Sequence, residues 1–350
     1  MAQSIAVRRP ARQFALALLV MLMSGCTMFK PDPLPEPVVE VAQPEPEPAI
    51  EPAKPEPRPQ PKPVAPLPTT FAAPVAVVLT SRQPAYENVA VELAKVLEDY
   101  SLYDLSDRSL SVRQVFERIE AEQATAVVAV GLRAAQVARN LSQVPVVFCQ
   151  VFNIEENNLV SGQRKGIASI PPIELQLKAW LELDPNLKNV GAILGSGHDA
   201  LIEEAVAAAK ATGVNLHHRI VGSDRETLYV FNRLIPDIDG FMLFPDNRVL
   251  SRNVLMEMLS YASRHHVQVA VFNESLLPLG ATFSGSAVSS DIAASAVVVL
   301  DKFARNQAAD VADITPLTEI KFRTNKVMVR KFGLTGAPAD SRDAVAAGAL

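Results

Sequence analysis

Val75-Ala-Val-Val-Leu79 is an unbroken apolar run of strand length, and the polar turn Thr80-Ser-Arg-Gln-Pro84 follows it. Apolar residues then recur at the spacing of one helix face over residues 86–97. Further apolar runs lie at residues 126–130, 144–148, 189–194, 239–244 and 267–272, and most lead through a polar turn into a helical pattern. Unbroken apolar strands that alternate with helices are typical of parallel sheets covered on both faces. The sequence therefore predicts an α/β fold.

Polar residues follow six of these predicted strands at the point where each strand ends. In parallel α/β sheets, ligands bind outside the carboxyl ends of the strands, so this pattern predicts a small-molecule cleft. The strand ends are Thr80-Ser81-Arg82, Gly131-Leu132-Arg133, Cys149-Gln150, Gly195-Ser196, Pro245-Asp246-Asn247 and Asn273-Glu274.

The N-terminus has the features of a secretory signal. Arginines at positions 8, 9 and 12 precede the apolar stretch at residues 14–23, and Ser24-Gly-Cys26 follows. Ten apolar residues are too few to cross a bilayer as a helix, which needs about 20. The small-small-Cys ending resembles a bacterial lipobox, which predicts a signal peptide at residues 1–25 and acylation, palmitate included, at Cys26. An ordinary signal peptide with an incidental cysteine is the alternative.

A proline-rich tether is predicted at residues 26–70. Residues 31–68 contain 15 of the 27 prolines of the chain. Proline fixes φ and lacks an N–H donor, so we expect an extended polyproline II-like spacer of up to about 120 Å. Recognition by a partner's aromatic groove is the alternative. Thr27 directly follows Cys26. In Gram-negative lipoproteins, an Asp at the position after the lipidated cysteine usually retains the protein at the inner membrane. By resemblance to this sorting rule, the absence of Asp here favours the outer membrane, with the domain facing the periplasm.

Composition excludes several functions. The net charge is −5, and a nucleic-acid-binding protein would show a basic face instead. With Cys26 assigned to lipid, Cys149 cannot form an internal disulfide, and its apolar surroundings predict an inert buried thiol. The pairs His217-His218 and His265-His266 lack the spacing of a helical zinc site. We therefore expect no metal, no cofactor and no catalysis.

Four stretches are informative when they are taken together and in order: Val144-Pro-Val-Val-Phe148, residues 174–194, Asp239-Gly-Phe-Met-Leu-Phe-Pro-Asp-Asn247 and residues 303–334. Through them the chain from residue 74 to residue 334 resembles the bacterial ABC-transporter substrate-binding proteins of the tryptophan/tyrosine-binding type. The resemblance implies the type 1 periplasmic-binding-protein fold, with two Rossmann-like lobes, parallel sheets and a hinge. The N-lobe would comprise residues 71–167 plus about 281–320, the C-lobe residues 168–280, and the C-terminal segment and tail residues 321–350.

The resemblance also implies ligand-side positions. Ser81, Gln150, Asp246, Asn247 and Glu274 fall at the ligand-contacting turns of the family. An amino-acid ligand needs carboxylates for its ammonium group, which Asp246 or Glu274 would supply. Its carboxylate needs donors, for which the candidates are Arg82, Arg133, Ser196 and backbone amides.

Other interpretations of these residues stay open. Asp246 and Asn247 would also serve as a helix cap, and Glu274 as a solvated loop acid. Two first-lobe turns depart from the family pattern, because Leu132-Arg133 replaces a small hydroxyl residue and Gln150-Val-Phe-Asn153 replaces a turn with Ser-Asp or Thr-Asp.

Two functions are compatible with these features. The first is a lipid-anchored periplasmic protein that captures an amino-acid-like metabolite for an ABC permease. The second is an outer-membrane lipoprotein whose domain is a protein-interaction module, reaching a periplasmic partner such as a regulated enzyme of cell-wall synthesis.

Overall fold

The computed structural model describes residues 70–141, 144–336 and 343–345. The predicted signal peptide, the predicted lipidation site at Cys26 and nearly all of the predicted tether lie outside this part of the chain. Among the described residues, no helix combines the length and the apolar character that a bilayer crossing requires.

The first lobe is built on a six-stranded parallel sheet. Its elements are β1 (Val75–Leu79), α1 (Pro84–Val96), β2 (Tyr100–Asp104), α2 (Val112–Ala121), β3 (Ala126–Val130), α3 (Leu132–Ala138), β4 (Val146–Cys149), β5 (Arg164–Ile167), α8 (Ser289–Ala304), the 3-10 turn Ala308–Asp310 and β11 (Ile314–Thr315). The strand order in this sheet is β11-β5-β4-β3-β1-β2.

The second lobe is built on a seven-stranded sheet with the order β13-β12-β10-β9-β8-β6-β7, in which β12 pairs antiparallel with both of its neighbours. Its elements are α4 (Ile173–Leu183), β6 (Asn189–Leu194), α5 (Asp199–Thr212), β7 (Asn215–Ile220), α6 (Asp224–Leu234), the 3-10 turn Ile235–Asp237, β8 (Gly240–Met242), α7 (Arg252–Arg264), β9 (Gln268–Val271), the 3-10 helix Glu274–Leu279, β10 (Phe283–Ser286), β12 (Glu319–Thr324), α9 (Lys326–Lys331) and β13 (Asp343–Val345).

The apolar runs form the centres of these sheets. Every residue of β1, β3 and β4 is buried, because helices cover both faces of the first sheet. α8 packs on one face together with α1, and its residues Ile292, Val297 and Leu300 are fully buried. The chain thus returns to the first lobe through this helix, and the predicted two-lobe α/β fold is confirmed.

The second core is organised around Trp180. This side chain is fully buried, and its Nε1 donates a hydrogen bond of 2.7 Å to Oε1 of Gln268. Its ring meets that of Phe283 edge-on at 4.8 Å between centroids. The indole packs directly over Gly240, where a Cβ atom would overlap it. The backbone of β8 therefore approaches α4 closely only because position 240 lacks a side chain.

The lobe boundaries need correction. We expected the C-lobe to end at residue 280 and the N-lobe to resume at about 281, but β10 (Phe283–Ser286) is a strand of the second sheet. β12 (Glu319–Thr324) also pairs there rather than starting a C-terminal tail. Among the described residues, the chain passes between the two sheets at 168–172, 287–288 and 316–318.

The helix-cap interpretation of Asp246 and Asn247 is wrong. α7 begins at Arg252, and its N-cap is Ser251, whose side chain accepts a hydrogen bond from the Val254 amide. The turn at residues 245–248 is thus separated from the helix start, and a different interaction fixes it.

Candidate functional site

A cleft of about 840 Å³ lies between the two lobes, at the carboxyl ends of β4, β8, β9 and β10. This is the position at which open α/β sheets bind ligands. Both lobes contribute to its walls, including Gln83, Tyr86, Asn88, Glu92, Leu132, Gln150, Phe152, Asn153 and Ser169 from the first half of the chain and Asn247, Phe272, Asn273, Glu274, Ser275, Ser286, Ser289, Ser290 and Lys321 from the second.

About half of the lining residues are uncharged and polar, with amide and hydroxyl side chains, and most of the others are apolar, including Phe152 and Phe272. Three lining residues carry a formal charge: Glu92, Glu274 and Lys321. Glu92 is bound at 2.7 Å by Lys95 of its own helix. Glu274 accepts a hydrogen bond of 3.1 Å from Lys321 Nζ. The cleft therefore offers one acid and one base side by side among neutral hydrogen-bonding groups.

Two buried polar atoms of the lining have no protein partner among the described residues. They are Oδ1 of Asn153 and Oγ of Ser286. Asn153 is only 8% exposed, and its Nδ2 donates a hydrogen bond of 3.3 Å to Oδ1 of Asn247 in the other lobe. A buried polar group left unpaired costs about 1–3 kcal/mol, so a ligand that bonds to these atoms would recover that free energy.

Gln150 occupies a strained backbone conformation at the cleft. It follows β4 directly and has a φ of 56°, in the left-handed region that residues with a Cβ atom rarely adopt. Residues held in such conformations cost of order 1–3 kcal/mol and cluster at ligand sites. The turn after β4 thus directs the chain into the cleft at the expense of local stability.

Asp246 forms a buried ion pair rather than a free ligand group. It is 1% exposed, and Arg248 binds it through Nε at 2.9 Å and Nη2 at 2.8 Å. Oδ2 also accepts from the Gly195 amide at 2.9 Å and lies 3.2 Å from Nε2 of His198. A Cβ atom at Gly195 would lie 2.7 Å from Oδ2, so this approach requires glycine there.

The ionisation of this pair follows from its hydrogen bonds. Burial alone would raise the pKa of Asp246, but hydrogen bonds from His198, Arg248 and Gly195 outweigh burial and hold that pKa well below its usual range. The hydrogen bond to Asp246 raises the pKa of Arg248 in turn. Both side chains are therefore charged at neutral pH.

Of the eight predicted ligand-side residues, three line the cleft: Gln150, Asn247 and Glu274. Asn247 comes from the turn between β8 and α7, and Glu274 is the first residue of the 3-10 helix Glu274–Leu279. These three come together because their strands end at the same opening.

The other five predicted positions are not part of the cleft lining. The Oγ of Ser81 is buried without a partner in the described part of the chain, and Asp246 is paired with Arg248. The remaining three are solvent-exposed. Arg82 pairs with Asp104 at 3.2 Å and with Glu87 at 3.7 Å. Arg133 lies on α3. The backbone carbonyl of Ser196 accepts a hydrogen bond from Arg248.

Sequence reasoning did not single out His198 and Arg248. His198 belongs to the Gly195-Ser-Gly-His198 segment, which is a plain strand-to-helix turn without a phosphate-loop ending. Its contact with Asp246 joins residues far apart in the chain, so no local pattern could indicate it. For Arg248, the available sequence signal was its own position, since it is a basic residue directly after the predicted ligand turn Asp246-Asn247.

Cys149 is fully buried at the end of β4, and burial raises the pKa of its thiol to about 12. This agrees with the predicted inert thiol. In the described part of the chain, no three His, Cys, Asp or Glu side chains are grouped as a metal site would need.

Comparisons with known proteins agree with this architecture. The family model for ABC transporter substrate binding proteins matches residues 95–338. No curated protein matches the chain. Among solved structures, an ABC domain from Streptococcus pneumoniae in complex with L-Trp is 18% identical, with a TM-score of 0.53, and the match covers 78% of this chain and 99% of that one.

Two further structures have the same fold. A conserved domain protein from Vibrio cholerae is 19% identical, with a TM-score of 0.52 and coverage of 78% of this chain and 98% of its own. The ligand-free, open structure of a substrate binding protein with adhesive properties from Clostridium difficile is 12% identical, with a TM-score of 0.59 and the same coverage. Since the family model spans more than half of its length, the chain belongs to the ABC transporter substrate-binding protein family, with the type 1 periplasmic-binding-protein fold.

Proposed function

We propose that this protein captures a small amino-acid-like solute in the cleft between its lobes and delivers it to an ABC permease without performing chemistry. The observation that carries the proposal is the pair of unpartnered buried atoms, Asn153 Oδ1 and Ser286 Oγ, in a cleft between two lobes. Such atoms gain the most from a ligand that donates hydrogen bonds.

The charged pair in the wall suits a zwitterion. Glu274 can accept a bond from an ammonium group, and Lys321 can bind a carboxylate. These side chains are 49% and 37% exposed, and a pair this exposed contributes only about 0–1 kcal/mol to stability. Exchanging it for the two charges of a ligand therefore costs little. Lys321 takes the role we first expected of Arg82 or Arg133.

A thermal-shift and calorimetric screen of the L-amino acids tests this function. Tryptophan is a sensible first ligand, since it is bound in the Streptococcus pneumoniae neighbour. We expect at least one amino acid to stabilise the protein. Glu274→Gln should weaken its binding about tenfold or more, because a hydrogen bond between charged groups contributes about 1.5–3 kcal/mol. Glu257→Gln, on the exposed surface of α7, makes the same charge change outside the cleft and should have no effect.

We also propose that the protein is anchored by a lipid on Cys26 and lies at the outer membrane. The order Ser24-Gly-Cys26-Thr27 supports both proposals. Metabolic labelling with a palmitate analogue should mark the wild-type protein and leave Cys26→Ser unlabelled, and membrane fractionation would place it at one membrane. Labelling that persists in Cys26→Ser would refute this anchor.

The proline-rich tract favours the second function, a protein-interaction module. The reach predicted for this tract from its proline content, up to about 120 Å, exceeds what a receptor needs beside its own permease. Deleting half of residues 31–68 distinguishes the two functions. Loss of cellular function with intact solute binding would support the protein-interaction module, whereas an unchanged phenotype would support simple solute capture.

A further inference from the structure

Arg248 of the second lobe reaches the first lobe beside the cleft. Its Nη1 lies 3.2 Å from Oε2 of Glu156, which belongs to the loop between β4 and β5. Solute capture as proposed above does not by itself require this contact, because neither residue lines the cleft.

The guanidinium is held rigidly on its own lobe. Nε and Nη2 form a fork on Asp246, and Nη2 also donates to the Ser196 carbonyl at 2.9 Å. The backbone amide of Arg248 donates to Asp246 Oδ1 at 3.2 Å. The turn that carries Asn247 between these two residues is therefore fixed at both ends.

Two further contacts between the lobes lie in the same place. The ring of Phe152 packs on that of His198, with centroids 4.4 Å apart, and Asn153 donates to Asn247 at 3.3 Å. The first-lobe loop at residues 152–156 thus meets the turn at residues 245–248 through an aromatic contact, an amide contact and an ion pair. The amide contact consists of two cleft residues.

We propose that Arg248 is a positioning residue that holds Asn247 at the cleft and, through Glu156, couples this ligand turn to the approach of the two lobes. The part that concerns a bound solute rests on the proposed function. The part that concerns the lobes does not, because these contacts join protein side chains only.

Hydrogen exchange measured by mass spectrometry on the full-length, ligand-free chain tests the coupling. The Glu156 side chain is about half exposed. Glu156→Gln therefore removes a partly exposed ion pair, whose contribution to stability is small. We expect amide exchange about two- to fivefold faster in both residues 150–158 and residues 244–250. Glu155→Gln, an exposed neighbour, is the matched control and should change neither segment.

Two further measurements separate coupling from a local loop effect. Glu156→Asp keeps the charge and should restore part of the protection. In about 1 M salt the screening length falls to about 3 Å, so the wild type should approach the Glu156→Gln rates. Faster exchange confined to residues 150–158, or unchanged exchange in both segments, would overturn the proposal.

Any amino acid found in the screen adds a second readout. Glu156→Gln should then weaken its binding by a similar two- to fivefold factor, and equal affinity would overturn the ligand part. A screen without hits would count against the proposed solute alone, since the exchange experiment decides the coupling without a ligand.

Discussion

Asp246→Asn is expected to destabilise the second lobe by about 3 kcal/mol at neutral pH. Removing one partner of a buried ion pair costs about 3–5 kcal/mol. Arg248 keeps its contact with Glu156 and is about a quarter exposed, which places the loss at the lower end of that range. Asparagine at position 246 would also place its NH₂ group opposite donors such as the Gly195 amide, so that two donors would face each other.

The pH dependence of the effect follows from the depressed pKa of Asp246. A carboxylate whose pKa is lower in the folded than in the unfolded protein contributes stability that is present above the unfolded pKa of about 3.9. This stability is lost as the pH falls further toward the folded value. The difference between wild type and Asp246→Asn should therefore be constant from about pH 6 to pH 8 and shrink below about pH 4.

Urea unfolding followed by tryptophan fluorescence measures this effect in the second lobe, which contains Asp246. Trp180 is the only tryptophan of the chain and is fully buried in the second lobe. Asp237→Asn, at an exposed position of the same lobe, is the control and should cost less than about 0.5 kcal/mol. A loss below about 1 kcal/mol for Asp246→Asn, or an equal loss at pH 3 and pH 7, would refute the ion-pair reasoning.

Three other predictions concern the framework. Gly240→Ala should cost about 1–3 kcal/mol in the same urea assay, because the new methyl group overlaps the Trp180 ring; no loss would contradict the close approach. Asp291→Asn should lower the free energy of unfolding by about 1–3 kcal/mol, since this buried carboxylate accepts from the Thr318 hydroxyl and two backbone amides, and an unchanged urea midpoint would argue against it. With the cysteine at position 26 replaced by serine, Cys149 should react with a thiol reagent only after denaturation, because it is fully buried and its pKa is about 12; rapid reaction of the native protein would contradict its burial.

The α/β fold with parallel sheets was predictable because its central strands are unbroken apolar runs, and the family resemblance implied its two lobes. Strands at or near the sheet edges escaped this reasoning. β2 (Tyr100–Asp104) and β7 (Asn215–Ile220) each pair on one side only, and their residues are largely exposed or half-buried. Edge strands need no continuous apolar sequence, since solvent reaches one side of them. The lobe boundary implied by the resemblance fell too early. β10 contains two serines and a glycine, so no apolar run marked it, although it is an interior strand that pairs with both β9 and β12.

The candidate site was predictable only in part. Strand ends correctly indicated which edge of each sheet faces the cleft, and this located Gln150, Asn247 and Glu274. They did not indicate side-chain direction, which nearby charges decide. Arg82 turns to the carboxylate of Asp104, and Asp246 turns inward to an arginine.

Calorimetric titration of the L-amino acids into the full-length protein and its Asn153→Ala variant is the most direct test of the central claim. At least one amino acid should bind the wild type with one-to-one stoichiometry. The variant, which lacks the buried Oδ1 acceptor of Asn153, should bind it about 5- to 150-fold more weakly, the equivalent of about 1–3 kcal/mol. Absence of binding by every amino acid, or equal affinity for wild type and variant, would contradict solute capture in this cleft.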